Sequence, residues 1–242
     1  MDSKAAQFTH RAFRDRLREM DYAIFDFDGT IYPRLFLYDL ARRIFSEDSD
    51  EERYRDKLRD LNNIVGAYGY VNFKIVYSKF LDIIKGEDKA YFEKVTKDLM
   101  AGTYPYAKAV INKLQDRYNM RTYLISLTAD FIAKTTKEKF GFDEVFSVGY
   151  LTTDNGRFNG KTATKIDSAK KMKIQLFKKL NAKVRNNEEF ICFFDSEDDL
   201  YIADFARLRV GVNPSGELAN SVDFDMILTG KQDPWKKFYS LV

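Results

Sequence analysis

Cysteine and histidine are nearly absent, with one of each in 242 residues. A single thiol cannot close an internal disulfide. Cys192 sits in the apolar run Phe190-Ile191-Cys192-Phe193-Phe194, where it reads as a small buried hydrophobe of a reducing compartment. The single imidazole, His10, lies between Thr9 and Arg11 in a charged stretch and reads as part of a solvated helix face. Serine or cysteine nucleophiles driven by a histidine base, and zinc sites built from several His and Cys ligands, therefore lack their side chains. Chemistry in this chain has to run on carboxylates, lysines and the backbone. An apolar run approaching the roughly 20 residues of a membrane helix is also missing. The beginning, Met1-Asp2-Ser3-Lys4, leads into charge rather than a signal-type core, so the expected location is cytoplasmic, without a membrane partner. Nor is there an excess of one charge. Forty basic against 37 acidic side chains leave +3, too weak and too mixed to predict a nucleic-acid surface.

What is present is the material of a folded, soluble protein: 45% apolar, 15% aromatic and 32% charged residues. The length fits one domain with a large insertion or two modest domains. After a charged helix expected over roughly 5–20, the run Tyr22-Ala23-Ile24-Phe25 is apolar without alternation, as in a strand covered on both faces, and it stops at Asp26. Thr122-Tyr123-Leu124-Ile125 stops at Ser126 in the same way, and Phe190 to Phe194 stops at Asp195. Further strands are expected at 145–148, 208–212 and 226–228. Strands alternating with helices predict an α/β fold, a Rossmann-like three-layer parallel sheet flanked by helices. Between Ile31 and Met100 only 3.6-residue periodicity occurs, over 35–45, 51–68 and 72–84, which predicts an all-helical insertion after the first strand. The expected division is a core of 1–31 and 101–242 with a helical domain of 32–100, re-entering near Gly102-Thr103-Tyr104-Pro105. Asp154-Asn155-Gly156 between Leu151 and Phe158 predicts a small hairpin.

In open parallel sheets ligands bind beyond the carboxyl ends of the strands, and here three strand ends carry Asp26, Ser126 and Asp195. Carboxylates at neighbouring ends repel each other and favour a proton or a hard cation. With no histidine at hand, the oxygen-only set points to Mg²⁺. In Asp26-Phe27-Asp28-Gly29-Thr30, Asp26 can attack phosphorus, while Asp28 is close enough to protonate a leaving oxygen and later deprotonate water. Gly29 permits a close backbone approach and Thr30 offers a further donor.

This pentapeptide resembles the first motif of the haloacid dehalogenase superfamily, an aspartate, any residue, aspartate, Gly and Thr after the first strand. The resemblance implies that Asp26 is a nucleophile and Asp28 an acid and base, with Gly29, Thr30 and Ser126 at the phosphate and Thr128 a rival to Ser126. Asp195-Ser196-Glu197-Asp198-Asp199 is similar to the fourth motif. It implies Asp195 and Asp199 as Mg²⁺ ligands beside Asp26 and Asp28, with Asp198 competing for the supporting role, although Phe194 stands where the family usually has glycine. The motif lysine that neutralises the phosphate is assigned to Lys173 by spacing, with Lys161, Lys165, Lys170 and Lys171 as competitors. Gly156-Arg157 and Asn213-Pro214 resemble the phosphoserine-phosphatase-like branch.

In that branch the helical insertion closes over the site as a cap. Tyr32, Arg34 and Tyr38 are expected to face the site, and the absence of an acidic residue in Tyr32-Pro33-Arg34 argues against phosphoserine itself. The implied function is Mg²⁺-dependent hydrolysis of a small phosphorylated metabolite by a monomer or homodimer. A phosphomutase or phosphotransferase on the same scaffold, or a non-catalytic phospho-ligand-binding protein, is the alternative.

Overall fold

The computed structural model describes residues 10–45, 52–68, 73–149, 151–185 and 187–242. Residues 5–9, 51 and 72 and the His10 side chain, all covered by the sequence reading, lie outside it.

Six strands form one parallel sheet. In chain order they are β1 (Tyr22–Phe25), β2 (Arg121–Ala129), β3 (Glu144–Gly149), β6 (Phe190–Phe194), β7 (Leu208–Val212) and β8 (Met226–Leu228). Antiparallel β4 (Leu151–Asp154) and β5 (Arg157–Thr162) make a separate hairpin. The sheet order β3-β2-β1-β6-β7-β8 places β1 between β2 and β6, so the crevice where the winding direction reverses opens at the end of the first strand. β1 and β6 are buried along their whole length, as their unbroken apolar sequence requires.

One expectation is corrected. β2 does not stop at Ser126 but pairs with β3 as far as Ala129, through a register shift between Ser126 and Ala129. A bulge of this kind spends extra residues without breaking the strand. Ser126 accordingly is not the N-cap of the following helix, whose cap position is Ala129.

The helices are α1 (His10–Leu17), α2 (Phe36–Ile44), α3 (Glu52–Tyr68), α4 (Phe73–Ile84), α5 (Lys89–Leu99), α6 (Pro105–Tyr118), α7 (Asp130–Phe140), α8 (Ala169–Asn181), α9 (Leu200–Ala203), α10 (Gly216–Ser221) and α11 (Trp235–Leu241). Among the described residues, the chain from β1 to β2 contains no strand of the sheet. Instead α2 packs on α3 and α5, and α3 packs on α4. No described helix is long and apolar enough to cross a membrane.

One aromatic cluster anchors α1 and α11 to the sheet. Phe25 stacks on Phe193 at 4.6 Å between ring centres, Trp235 and Phe238 pack on Phe193 at 5.1 and 5.2 Å, and Phe13 meets Phe238 edge-on at 5.9 Å. Such pairs add to plain area burial.

The β4–β5 turn has Asn155 and Gly156 both at positive φ (52° and 78°), the geometry that an Asn-Gly pair adopts in a two-residue hairpin. β5 also bonds the loop between α4 and α5. Gly86 N donates to Phe158 O (2.7 Å), Phe158 N to Glu87 O (3.0 Å) and Lys89 N to Gly156 O (3.0 Å). The hairpin thereby fastens the far end of the helical segment to the body of the protein.

Candidate active site

Parallel register sets the geometry. Phe25 is opposite Leu124 on one side and Phe193 on the other, so Asp26, directly after Phe25, and Asp195, directly after Phe194 at the end of β6, emerge from neighbouring strand ends. Asp26 N donates to Phe193 O (3.1 Å), extending the pairing one step past the strand. One oxygen from each of Asp26, Asp195 and Asp199 can be chosen so that all three lie within 4.8 Å of one another.

A buried ammonium closes this cluster. Lys173 Nζ donates to Asp26 Oδ1 (2.5 Å), Asp199 Oδ1 (2.6 Å) and Ile125 O (3.2 Å). Lys173 is 2% exposed, whereas its competitors Lys161, Lys165, Lys170 and Lys171 are exposed. The helix explains the choice: Ala169, Met172, Leu176, Phe177 and Leu180 form the buried stripe of α8, and Lys173 is the lysine that falls on it. Burial alone would push the ammonium down, but Asp199 and Asp26 outweigh it and hold its pKa above the usual lysine range. Burial, with the charges of Asp26 and Asp199 added, pushes the Asp195 carboxyl up to about 9. Asp199 is raised to about 7 by burial, which Lys173 only partly offsets.

The loop after β1 is a tight turn, with Ile31 N and Tyr32 N donating to Phe27 O (2.8 and 2.9 Å) and Gly29 N to Tyr32 O (2.7 Å). Gly29 sits at φ +80°. Its N–H is already engaged, and its missing side chain makes room for Asp195, because a Cβ there would fall 1.9 Å from Asp195 Oδ2. Asp28 Oδ1 accepts the N–H of Phe36 (2.7 Å), which ties the loop to the start of α2. Burial pushes the Asp28 carboxyl up to about 7, against the Phe36 hydrogen bond and with the help of the Asp26 charge. The Asp28 side chain is not among the three carboxylates that gather as a possible cation site.

Among the described residues, four buried side-chain polar atoms have no partner: Thr30 Oγ1, Thr128 Oγ1, Asp195 Oδ1 and Tyr77 OH. Three of the four lie at or just beyond the strand ends that carry the cluster, Thr128 within the last residues of β2. Buried polar atoms are rarely left unpaired, and an oxygen-only set of this kind suits a hard cation and a phosphoryl group. Asp26, engaged by Lys173 through Oδ1, keeps Oδ2 for a cation, and Asp195 keeps Oδ1. Asp199 is engaged by Lys173 through Oδ1 and by Ser196 Oγ (3.4 Å) through Oδ2.

A cavity of about 660 Å³ opens above these loops. Its floor includes Asp26, Asp28, Gly29, Lys173, Asp195 and Asp198. Thr128, the rival hydroxyl, lines it. Ser126 is fully buried and does not, its Oγ instead accepting Thr128 N (3.2 Å). Arg34 and Tyr38 reach the cavity, but Tyr32 is 2% exposed and donates its hydroxyl to Asp39 (2.7 Å).

Sequence reasoning missed two contributors. Trp235 donates Nε1 to Thr30 O (2.8 Å) and so braces the first loop from α11. The chain's one tryptophan beside Pro234 was the available signal. Tyr77, on α4, lines the cavity with its hydroxyl against Gly149. In sequence it is one apolar position of a helix among many.

A family model described as haloacid dehalogenase-like hydrolase matches residues 23–204. No curated protein matches the chain by sequence. Among solved structures, a phospho-aspartyl intermediate analogue of phosphoserine phosphatase superposes with a TM-score of 0.67 at 18% identity, covering 91% of this chain and 99% of the other. A substrate-bound phosphoserine phosphatase complex gives 0.67 at 19% identity over 90% and 98%. A hydrolase of the same family from Salmonella enterica subsp. enterica serovar Typhi gives 0.69 at 17% identity over 93% and 77%. At these identities the likeness establishes the fold.

Proposed function

The chain belongs to the haloacid dehalogenase-like hydrolase family, and from that premise we propose that it is a Mg²⁺-dependent phosphatase cleaving a small phosphomonoester through a phosphorylated Asp26. The observation that carries this reading is the Lys173 ammonium bonded at once to Asp26 and Asp199, with Asp195 alongside. A nucleophilic carboxylate, a fixed positive charge and a second carboxylate for a cation lie at one strand-end crevice, and phosphoryl transfer asks for little more than position and charge.

Lys173 fixes Asp26 through Oδ1 and leaves Oδ2 for attack. Asp26 attacks phosphorus, the phosphorus–oxygen ester bond breaks, and the leaving oxygen takes a proton from Asp28. Asp28, held by Phe36 N, then removes a proton from the water that attacks the phosphorylated Asp26, releasing phosphate and regenerating both carboxyls. Thr128 at the cavity wall donates to a phosphoryl oxygen, with Ser126 supporting Thr128 N. Mg²⁺ held by Asp26 and Asp195 supplies positive charge to the phosphoryl oxygens. Residues 32–100 act as a cap over a core of 1–31 and 101–242, a reading favoured by the cavity wall that α2, α3 and α4 provide. The buried, unpaired Cys192 suits a reducing, cytoplasmic setting.

Hydrolysis of an aryl phosphate by the wild type, Asp26→Asn and Asp28→Asn, with and without Mg²⁺, tests the proposal. Activity that needs Mg²⁺ and collapses in both variants is expected. Turnover surviving in Asp26→Asn would sink it.

A further inference from the structure

The helical side of the cavity differs in chemistry from its floor. Leu35, Leu37, Leu61, Phe73, Val76 and Phe80 face it from the start of α2, from α3 and from α4. Several polar groups on that side are engaged with one another, while the buried Tyr77 hydroxyl has no partner among the described residues. Asp39 Oδ2 accepts the Tyr32 hydroxyl (2.7 Å) and Arg34 Nε (2.9 Å), the Tyr38 hydroxyl donates to Asn62 Oδ1 (2.8 Å), and Arg42 lies over the Tyr38 ring at 5.7 Å. Asp39 is the one carboxylate that the described helical residues present to the cavity, and it is neutralised where it stands.

A substrate ammonium would find no free carboxylate on this wall. A polyol lying along Leu37, Phe73, Val76 and Phe80 would turn its hydroxyls toward carbon, and a buried hydroxyl without a partner is costly. The volume of about 660 Å³ is in the range of sites that enclose a substantial organic body, well beyond a phosphoryl group.

Resting on the phosphatase reading, we propose that the alcohol half of the substrate is apolar. The phosphoryl group sits on the strand-end floor, and an alkyl or aryl body lies along Leu37, Phe73, Val76 and Phe80. Specificity then comes from burial of carbon against α2 and α4. The polar atoms of the floor select only for the phosphate.

Two homologous series read this out on the intact wild-type protein in Mg²⁺. The first is kcat/KM for ethyl, butyl and hexyl phosphate, with phosphoserine and glycerol phosphate for comparison. The second is the calorimetric affinity of the matching ethyl, butyl and hexyl phosphonates, which cannot be hydrolysed as esters. Burial of one methylene is worth about fourfold, so both series should rise at least about tenfold from ethyl to hexyl. Val76→Asn, which puts an amide on the wall, should lower the hexyl-to-ethyl ratio in both. Leu37→Asn on α2 provides the same readout if the α4 variant does not fold.

Esters hydrolysed with a flat series, or with phosphoserine or glycerol phosphate preferred, overturn the apolar-body inference and leave the phosphatase reading intact. Phosphonates that tighten with length while no ester is hydrolysed uphold the pocket and overturn the phosphatase reading. Neither trend overturns both.

Discussion

At the floor of the cavity, Asp26, Thr128, Lys173 and Asp195 come from four separated stretches of chain and meet at strand ends. Along the helical wall, Leu35 to Phe80 come from one stretch, and leucine, valine and phenylalanine are the majority of its side chains. The floor is held by a few strong, directional bonds among buried charges. The wall is held by many weak, interchangeable contacts. Loss of one partner on the floor leaves an uncompensated charge, whereas loss of one methyl on the wall is shared among neighbours. The contrast divides the labour, with the chemistry rigid and dispersed in sequence and the substrate's body met by a surface that tolerates substitution.

The largest effect expected of this contrast is on the floor. Asp26→Asn should reduce kcat by at least about 10⁴-fold, measured by steady-state hydrolysis, while wall variants change kcat/KM far less. Lys173→Met should lower stability by about 3–5 kcal/mol in urea unfolding at neutral pH, because Asp26 and Asp199 are then left buried together. A loss below about 1 kcal/mol, the size of a surface pair, would place the floor on the same energetic footing as the wall.

Next comes the cation. Mg²⁺ at a hundred times its dissociation constant should stabilise the wild type by about 2.7 kcal/mol, read as a rise in melting temperature. Asp195→Asn should abolish that rise, and a rise that persists would remove Asp195 from the cation site. The smallest effect belongs to the wall. Tyr77→Phe removes a buried hydroxyl without a partner and should raise stability by about 1 kcal/mol. A loss of similar size would mean that the hydroxyl is paired in solution.

The same contrast decides what could be read in the sequence. Strands buried on both faces announce themselves as unbroken apolar runs, and an aspartate directly after such a run has few other reasons to be there, so Asp26 and Asp195 were visible. Lys173 could be chosen from five lysines because helical periodicity puts it, and not its neighbours, on the stripe of α8. The end of β2 was placed too early, at Ser126. The apolar run does end there, but backbone pairing with β3 continues through a register slip that side-chain patterning does not record, and this carries Thr128 to the cavity.

Gly29 has a further role that the sequence does not show. Its value lies in the carboxylate of Asp195, some 165 positions further along the chain, a neighbour that no local pattern reveals. The wall was silent for a more general reason. An apolar residue at helical spacing looks the same whether it faces a core or a cavity, and Leu37, Phe73 and Val76 could have been either.

The hydrogen bond from Trp235 to Thr30, and the place of β6 beside β1, carry a consequence for how the protein is made. During synthesis Asp26 leaves the ribosome well before the strand that must lie beside it, Phe190–Phe194, and before the indole that steadies its loop. Until then β1 has only β2 for company in the sheet, and Asp26 has neither Lys173 nor Asp195. Asp26 precedes the groups that hold it in place, so a polypeptide truncated before Trp235 would carry all six strands of the sheet and lack the indole that steadies the first loop.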